Sequence, residues 1–362
     1  MSVVVAALKV AAARHDPASS LRFVAASAVF SASSIIAMHP ATYWWIGEIF
    51  GFPDAGMLLM YLCSYLFAVL LHLLMHSWDA STAENARIIA AYTVTGVALI
   101  GLFFLVQPAL LNHASMTPSV TADNLAVVAF PVAAWAAIAV PLLAAAAQCR
   151  RVVAPGASMS ADVRRGVNAI RWGCLLLGYA DLLSAGLLCF RKMVSPTWVG
   201  AGLVLQLGAA AGVSLVHYGY LSPAWRAWQR ERRDFRRLRP LWELVVRQAE
   251  LSSALNPPGP LTERFALNVR KWHLPRRVME ISDSLHALQP WMAPRESEQA
   301  ASDPGVVARR TAVMVMDALA RKECGGRPPR MLSGNPSAGV GADQERLHLV
   351  MVAEELRKLT GK

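Results

Sequence analysis

Six apolar stretches, each of about membrane-spanning length, constrain this chain more than any other feature of its sequence. A helix needs about 20 apolar residues to cross a hydrocarbon core about 30 Å thick. Lipid offers no partners for backbone N–H and C=O groups, so spanning segments fold as helices. The sequence therefore predicts an all-α fold, with a polytopic helical membrane bundle. The predicted spans are Leu21–Met38, Met57–Met75, Ile88–Val106, Leu125–Ala147, Trp172–Phe190 and Trp198–Tyr218.

Composition agrees with a membrane protein. Apolar residues make up 55% of the chain and charged residues only 16%, whereas soluble domains carry about 25% charged residues. A shorter apolar stretch, Val3–Ala13, is interrupted by Lys9 and has no basic start like that of a secretory signal. We interpret it as half a span or as a helix lying on the membrane.

Arginines in the short loops predict the orientation, because basic residues collect on the cytoplasmic side. The loops on the opposite side, His39–Gly56 and Gln107–Asn124, contain no lysine or arginine, and only Arg191 and Lys192 disagree. The sequence thus predicts a multi-pass protein of the bacterial plasma membrane with a cytoplasmic C-terminus. The basic residues on the tail side are Arg14, Arg22, Arg87, Arg150, Arg151, Arg164, Arg165 and Arg171, followed by the tail itself.

The composition changes at Ser222, and we predict three regions: a transmembrane domain (1–222), a basic juxtamembrane helix with a linker (223–260) and a small cytoplasmic helical domain (261–362). The juxtamembrane helix is expected over Pro223–Glu250, restarting at Pro240, with the linker at Asn256–Pro260. Further helices are predicted over Pro275–Leu288, Val306–Arg321 and Asp343–Leu359.

The helix at Pro275–Leu288 has an amphipathic pattern. Its apolar residues recur every three or four positions, at Val278, Ile281, Leu285 and Leu288. Arg277, Glu280 and Asp283 are expected on the opposite face. Glu280 and Asp283 have the spacing of paired carboxylates, but Arg276 and Arg277 are equally placed to pair with Glu280. A solvated, salt-bridged face is the preferred interpretation.

The arginine-rich segment after Ser222 is interleaved with Trp225, Trp228 and Phe235. Juxtamembrane basic segments attract anionic lipid headgroups by about 1 kcal/mol per basic residue. Nucleic-acid binding is a weaker alternative, because the segment is tethered at the bilayer, and no nucleic-acid partner is expected. The candidate lipid contacts are Arg226, Arg230, Arg232, Arg233, Arg236, Arg237 and Arg239.

Asp181 lies at the middle of the fifth predicted span, where a carboxylate is costly to ionise and is a functional candidate. Gln206 of the sixth span is expected at a similar depth, so the two side chains could hydrogen-bond. Two interpretations stay open: proton or cation coupling, and a protonated carboxylic acid that ties two helices together.

Three histidines form a candidate metal site. His72 and His76 share one helix face, and His217 is expected at a comparable depth. Imidazole nitrogens bind zinc, copper and haem iron, but the zinc-hydrolase pattern H-E-x-x-H is absent. Histidines at the headgroup level account for the pattern more simply. Five cysteines show no paired spacing, and we predict no cofactor.

Small residues in the last spans predict close helix packing. Gly208 and Gly212 are four apart, Gly200 and Gly202 lie on the same span, and small residues at that spacing let helices approach. Packing inside the monomer is preferred, while a homo-oligomer stays open. Pro131 and Pro141 are expected to kink the fourth span.

Several motifs in the chain resemble those of one family. They are Arg14-His-Asp-Pro17, Gly51-Phe-Pro-Asp-Ala-Gly56, Arg239-Pro-Leu-Trp242, Arg276-Arg-Val-Met-Glu-Ile-Ser-Asp283, Leu288-Gln-Pro290 and a last helix from about Asp343. Their order resembles actinobacterial multi-span membrane proteins described as transporters, which end in a cytoplasmic domain of unknown function. That family has a complete span before the first motif, where this chain has thirteen residues, so the start is assigned late or a span is truncated. The resemblance supports the fold and supplies no catalytic residues.

Two function classes follow from the sequence. No nucleophile elbow, phosphate-binding loop or dinucleotide fingerprint is present, so an enzyme is not expected. The first class is a membrane-anchored regulatory or scaffold protein whose tail recruits a cytosolic protein partner. The alternative is a small-solute or proton-coupled transporter that uses Asp181.

Overall fold

The structure is a computed structural model that describes residues 2–15, 19–52, 54–78, 82–110, 125–154, 159–190, 199–248, 273–292, 303–325 and 341–361. The chain divides into two compact units, Met1–Ala224 and Trp225–Lys362. We call them the membrane unit and the tail unit. Helices make up almost all of the described residues, which contain no strand. Two predictions lie outside the described residues. They are the linker at Asn256–Pro260 and the two basic residues that disagree with the predicted orientation, Arg191 and Lys192.

Eight helices are described between the N-terminus and the tail unit, and six of them are long and apolar enough to cross a membrane. This confirms the predicted all-α, polytopic architecture. The helices are α1 (Ser2–His15), α2 (Ser19–Met38), α3 (Pro40–Phe50), α4 (Ala55–His76), α5 (Thr82–Leu110), α6 (Leu125–Val152), α7 (Ala161–Cys189) and α8 (Val199–Arg237).

Helix α4 lies at the centre of the membrane unit and packs against α2 and α6. The apolar stretch of α4 that could cross a membrane is 67% buried, whereas the corresponding stretch of α5 is 11% buried. Edge-to-face aromatic contacts tie these helices together: the Phe130 ring centroid lies 5.5 Å from that of Tyr61 and 5.1 Å from that of Phe103. The apolar side chains left exposed on α5 are those expected to face lipid.

The N-terminal helix α1 packs into the bundle. Val5 is fully buried in the same core cluster as Leu71 and Val216, and Ser2 Oγ lies 3.4 Å from His217 Nδ1 of α8. Of the two interpretations of this segment, the packing favours half a span over a helix lying on the membrane surface.

The predicted outer loop His39–Gly56 contains helix α3. Tyr43 and Ile46 face the interior, while Trp44, Trp45 and Phe50 are exposed. An exposed aromatic face suits the membrane–water interface, where amphipathic rings collect. Helix α3 ends at Gly51, whose φ of +74° is a left-handed conformation that favours glycine.

The prediction that a new helix begins at Pro223 was wrong, because α8 continues through Pro223 to Arg237. Glycines lie beside the proline ring at this point. The position that a Gly166 side chain would occupy lies 2.9 Å from Pro223 Cγ, and the residue four before the proline is Gly219. Pro131 and Pro141 likewise lie inside α6.

The tail unit contains the C-terminal end of α8 and four further described helices. These are α9 (Arg239–Gln248), α10 (Leu274–Leu288), α11 (Pro304–Glu323) and α12 (Ala342–Thr360), with a 3-10 turn at Gln289–Trp291. Helix α9 begins one residue before Pro240, close to the predicted restart. The tail helices enclose a core of their own, which includes Phe235, Leu241, Ile281, Val315 and Val352.

Candidate functional site

Arg277 is the most unusual side chain of the tail unit. It is only 4% exposed, although arginine is almost never buried without partners. Its Nη1 donates a hydrogen bond to the Phe235 carbonyl oxygen at 2.9 Å. Its guanidinium carbon lies 3.7 Å from the centroid of the Phe235 ring and 5.2 Å from that of Trp242. The charge is thus buried among aromatic faces, where cation–π attraction offsets part of the desolvation cost.

Glu280 lies one turn after Arg277 and uses both carboxylate oxygens. Trp242 Nε1 donates to Oε2 at 2.6 Å, and Arg276 Nε donates to Oε1 at 2.8 Å. Trp242 ends the motif Arg239–Trp242, whereas Arg276, Arg277 and Glu280 belong to the second tail motif. The two motifs on which the family resemblance rests are therefore in direct contact, 38 positions apart in sequence.

The buried face of α10 differs from the predicted one. It consists of Leu274, Arg277, Ile281, Ser284 and Leu288, so the prediction that Arg277 faces solvent was wrong. Val278 and Leu285 are only partly buried. The helix is rotated because the aromatic rings of Phe235 and Trp242 accept the guanidinium. Arg276 and Asp283 remain exposed. Both carboxylate oxygens of Glu280 accept hydrogen bonds, from Trp242 and Arg276, so Glu280 and Asp283 do not act as a free carboxylate pair.

The basic segment Arg226–Arg239 is partly used inside the protein. Arg237 pairs with Glu354 at 3.1 Å and Arg239 with Glu243 at 2.7 Å. Arg232 lies over the Trp228 ring, 4.9 Å from its centroid. Arg226 and Arg230 also have interactions within the structure. These arginines have partners within the protein, and lipid contact by them stays a prediction.

Two further arginines of the predicted lipid contacts are exposed. Arg233 donates from Nε to the backbone oxygen of Gln229 at 3.4 Å. This acceptor is a neutral carbonyl group and does not balance the charge of the guanidinium. Arg236 is exposed on the same stretch of α8. These two residues are the best placed of the predicted set to meet a headgroup.

Asp181 and Gln206 form no hydrogen bond with each other within the described residues. Asp181 is half-buried on α7, and Tyr61 of α4 lies within range of its charge. Gln206 is exposed on α8. The sequence placed the two residues at a similar depth, but a common depth does not fix the direction in which each helix presents its side chains.

The three histidines have separate neighbours. His72 Nδ1 and the Tyr92 hydroxyl are 2.7 Å apart, and the His72 and His76 rings are 5.8 Å apart. His217 is buried against Ser2. Among the described residues, no three side chains of the metal-binding types come together as a candidate site. The predicted trio is therefore not assembled in this structure.

Helices α7 and α8 approach through glycines at two levels. A side chain on Gly173 would lie 2.6 Å from the Gly212 carbonyl oxygen, and one on Gly219 would lie 2.7 Å from the Gly166 carbonyl oxygen. Gly212 thus packs against a neighbouring helix of the same chain. Gly208 has no atom within 4 Å of its would-be side chain, so it does not contribute to this contact.

Asp54 is a buried polar residue that the sequence analysis missed. It lies within the motif Gly51–Gly56, is 9% exposed, and accepts a hydrogen bond from the Tyr43 hydroxyl at 3.3 Å. Burial raises the pKa of Asp54 above its ordinary value, while the Tyr43 hydrogen bond opposes this shift. The only sequence signal was an acidic residue between Pro53 and a long apolar helix.

Comparison with known protein families gives a match in the tail unit. Residues 227–358 match the model of a family of unknown function, DUF6545. The matched region covers nearly the whole tail unit and includes the contact between Trp242 and Glu280. No curated protein and no solved structure matches the chain. The match supports a tail domain of unknown function and does not bear on a transporter label or a bacterial source.

Proposed function

We propose that the protein is a membrane-anchored scaffold whose tail unit recruits a cytosolic protein partner. One observation carries this proposal: the tail unit has a core of its own and matches a family model by itself, while the helix that leads into it belongs to a six-span bundle. A domain that is built separately from its anchor is suited to present a surface to other molecules.

The tail unit exposes apolar side chains that its core does not use. Met279 on α10 is 65% exposed and Leu347 on α12 is 52% exposed. Methionine is enriched at protein interfaces and adapts to differently shaped partners. The internal contacts of the buried site hold α10 against α8 and α9, so that Met279 is displayed on a fixed helix.

Affinity purification of the full-length protein from native membranes tests the proposal. A cytosolic protein should co-purify with the wild type and be lost from the double variant Met279→Glu and Leu347→Glu. Ala287→Glu is the control for the substitution on α10, because it adds one negative charge at another exposed position of that helix. Equal recovery of every co-purifying protein from all three forms would contradict the proposal.

The alternative function is small-solute or proton-coupled transport through Asp181. The observation in its favour is that Asp181 lies within a span and forms no ion pair within the described residues. In that case Asp181→Asn should abolish solute uptake into proteoliposomes. Scaffolding predicts instead that Asp181→Asn keeps the co-purifying partner at the wild-type level.

A further inference from the structure

A groove of about 630 Å³ lies between α6 and α7 in the membrane unit. Its lining combines two kinds of residue. Arg150, Arg151 and Arg171 are basic, whereas the remainder, including Leu143, Leu175 and Tyr179, is almost entirely apolar. The groove is partly open rather than enclosed, so a molecule can enter it.

The basic and apolar residues occupy different levels of the groove. Helices α6 and α7 run antiparallel, and a side chain on Gly178 would lie 2.9 Å from Leu143. Because each helix rises 1.5 Å per residue, this register places Arg150 of α6 level with Arg171 of α7. Leu143 and Tyr179 lie about 10 Å further into the span at that rise.

The arginines lie at one end of the spanning segment. From Trp172 to Cys189, α7 is about 27 Å long at 1.5 Å per residue, which is close to the thickness of a hydrocarbon core. Arg171 directly precedes this segment, and Arg150 and Arg151 are in the last turn of α6. The guanidinium groups are therefore expected at the level of the headgroups, above an apolar trough at the level of the acyl chains.

No acidic side chain of the described residues neutralises this cluster. Arg165 pairs with Asp162 at 3.8 Å, but Arg150, Arg151 and Arg171 form no ion pair there. The α6–α7 connection at 155–158, outside the described residues, contains no acidic residue in its sequence. Arg171 lies 5.5 Å from the centroid of the Trp172 ring. The cluster thus differs from the basic segment of the tail, where Arg237 and Arg239 are paired with glutamates.

We propose that this groove binds one anionic phospholipid. The guanidinium groups of Arg150, Arg151 and Arg171 hold the headgroup phosphate, for which arginine provides two parallel N–H donors. One acyl chain lies along Leu143, Leu175 and Tyr179. Basic pockets between spanning helices are suited to anionic headgroups, and the apolar trough distinguishes a lipid from a soluble phosphate.

Native mass spectrometry of the full-length protein tests the site. Phosphatidylglycerol and phosphatidylcholine with the same acyl chains are added separately, and inorganic phosphate serves as the soluble competitor. One phosphatidylglycerol should remain bound to the wild type at energies that remove phosphatidylcholine. The double variant Arg150→Gln and Arg171→Gln should retain it about 25-fold less well, from roughly fivefold for each arginine.

Two further variants separate a specific site from general attraction. Arg164→Gln removes an exposed charge from the same helix outside the groove lining, and it should retain the lipid as the wild type does. Ala147→Trp fills the groove at an exposed position without changing any charge, and it should lose the lipid.

The proposal is overturned by any of three results. The first is a loss with Arg164→Gln as large as with the double variant, which would indicate surface charge alone. The second is unchanged retention with Ala147→Trp, and the third is displacement of the lipid by inorganic phosphate. Size-exclusion profiles equal to the wild type show that the variants are folded, and the test does not depend on the tail or its partner.

Discussion

The two units of this protein bring their helices together in different ways. In the membrane unit, α7 and α8 touch backbone to backbone, because Gly166, Gly173, Gly212 and Gly219 carry no side chains. In the tail unit, large side chains fill the space, and a buried arginine lies against Phe235 and Trp242. The contact between α7 and α8 therefore depends on missing side chains, whereas the contact around Arg277 depends on large ones.

The difference follows from the solvent expected around each unit. In lipid, apolar side chains gain little by leaving their surroundings, so close backbone approach and dispersion contacts hold helices together. In water, burial of apolar area drives association, and Arg277 is kept in the core by its hydrogen bond and its aromatic neighbours. We therefore expect that enlarging a glycine destabilises the contact between α7 and α8, whereas shortening a large buried side chain destabilises the tail unit.

Shortening Arg277 should give the largest effect. Arg277→Ala removes the hydrogen bond to Phe235 and leaves a cavity, and we expect the free energy of unfolding of the tail to fall by about 3 kcal/mol. Hydrogen exchange of α10 and α12 in the full-length protein measures this change. Arg277→Met keeps most of the volume without the buried charge and should cost less.

Arg276→Ala is the control for this prediction. Arg276 is exposed on the same helix, and its ion pair with Glu280 should contribute less than about 1 kcal/mol. If Arg276→Ala destabilised the tail as much as Arg277→Ala, the assignment of the buried site would be wrong.

Enlarging Gly173 should give the next largest effect, in the membrane unit. Gly173→Ala places a carbon 2.6 Å from the Gly212 carbonyl oxygen, and the strain should cost about 2 kcal/mol. Thermal denaturation of the detergent-solubilised protein, followed by size exclusion, reports the loss. Gly208→Ala has open space around it and should leave the melting temperature unchanged or slightly higher.

The hydrogen bond between the two tail motifs should have a smaller effect. Trp242→Phe leaves Glu280 Oε2 without its indole donor and should lower tail stability by about 1.5 kcal/mol. A double-mutant cycle with Glu280→Gln isolates the pair. Strictly additive effects of the two substitutions would mean that the bond does not stabilise the tail.

The smallest expected effects are on pH dependence, and they have opposite signs in the two units. Burial lowers the pKa of His348 in the tail below its usual value of 6.5. The unfolded tail then binds more protons, so tail stability should be lost as the pH falls through 6.5. Hydrogen exchange of α12 at pH 7 and pH 5 tests this, and His348→Gln should flatten the difference.

Asp54 gives the opposite sign in the membrane unit. Burial raises its pKa above the usual 3.8, so its contribution is present below pH 3.8 and is lost as the pH rises through the raised pKa. Asp54→Asn should remove this part of the pH dependence of membrane-unit unfolding. Unaltered pH dependence in that variant would show that Asp54 titrates equally in the folded and unfolded chain.

The fold could be predicted because its main signal is length. A spanning helix must cover a fixed thickness, and apolar stretches such as Leu21–Met38 end where the structure ends its candidate span. Helix α3 was not predicted, since eleven residues are too few for a span and its aromatic residues suit a loop at the interface equally well. The continuation of α8 through Pro223 was not predicted, because proline favours the first turn of a new helix.

The candidate sites were harder to predict because they depend on tertiary neighbours. Amphipathic spacing on α10 assigns an arginine to the polar side, and only the rings of Phe235 and Trp242 explain why Arg277 is buried. Likewise, Gly208 and Gly212 are equivalent in sequence, but only Gly212 faces α7. The groove between α6 and α7 is lined by Arg150, Arg151 and Arg171. From the sequence, these arginines predicted only the orientation in the membrane.

A photo-crosslinking residue in place of Met279, in the full-length protein in native membranes, shows whether α10 contacts a cytosolic protein. We expect a discrete adduct with such a protein, absent when Arg277→Ala disrupts the tail and retained with Asp181→Asn. This expectation would be contradicted by the absence of any protein adduct at this position together with solute uptake into proteoliposomes that Asp181→Asn abolishes.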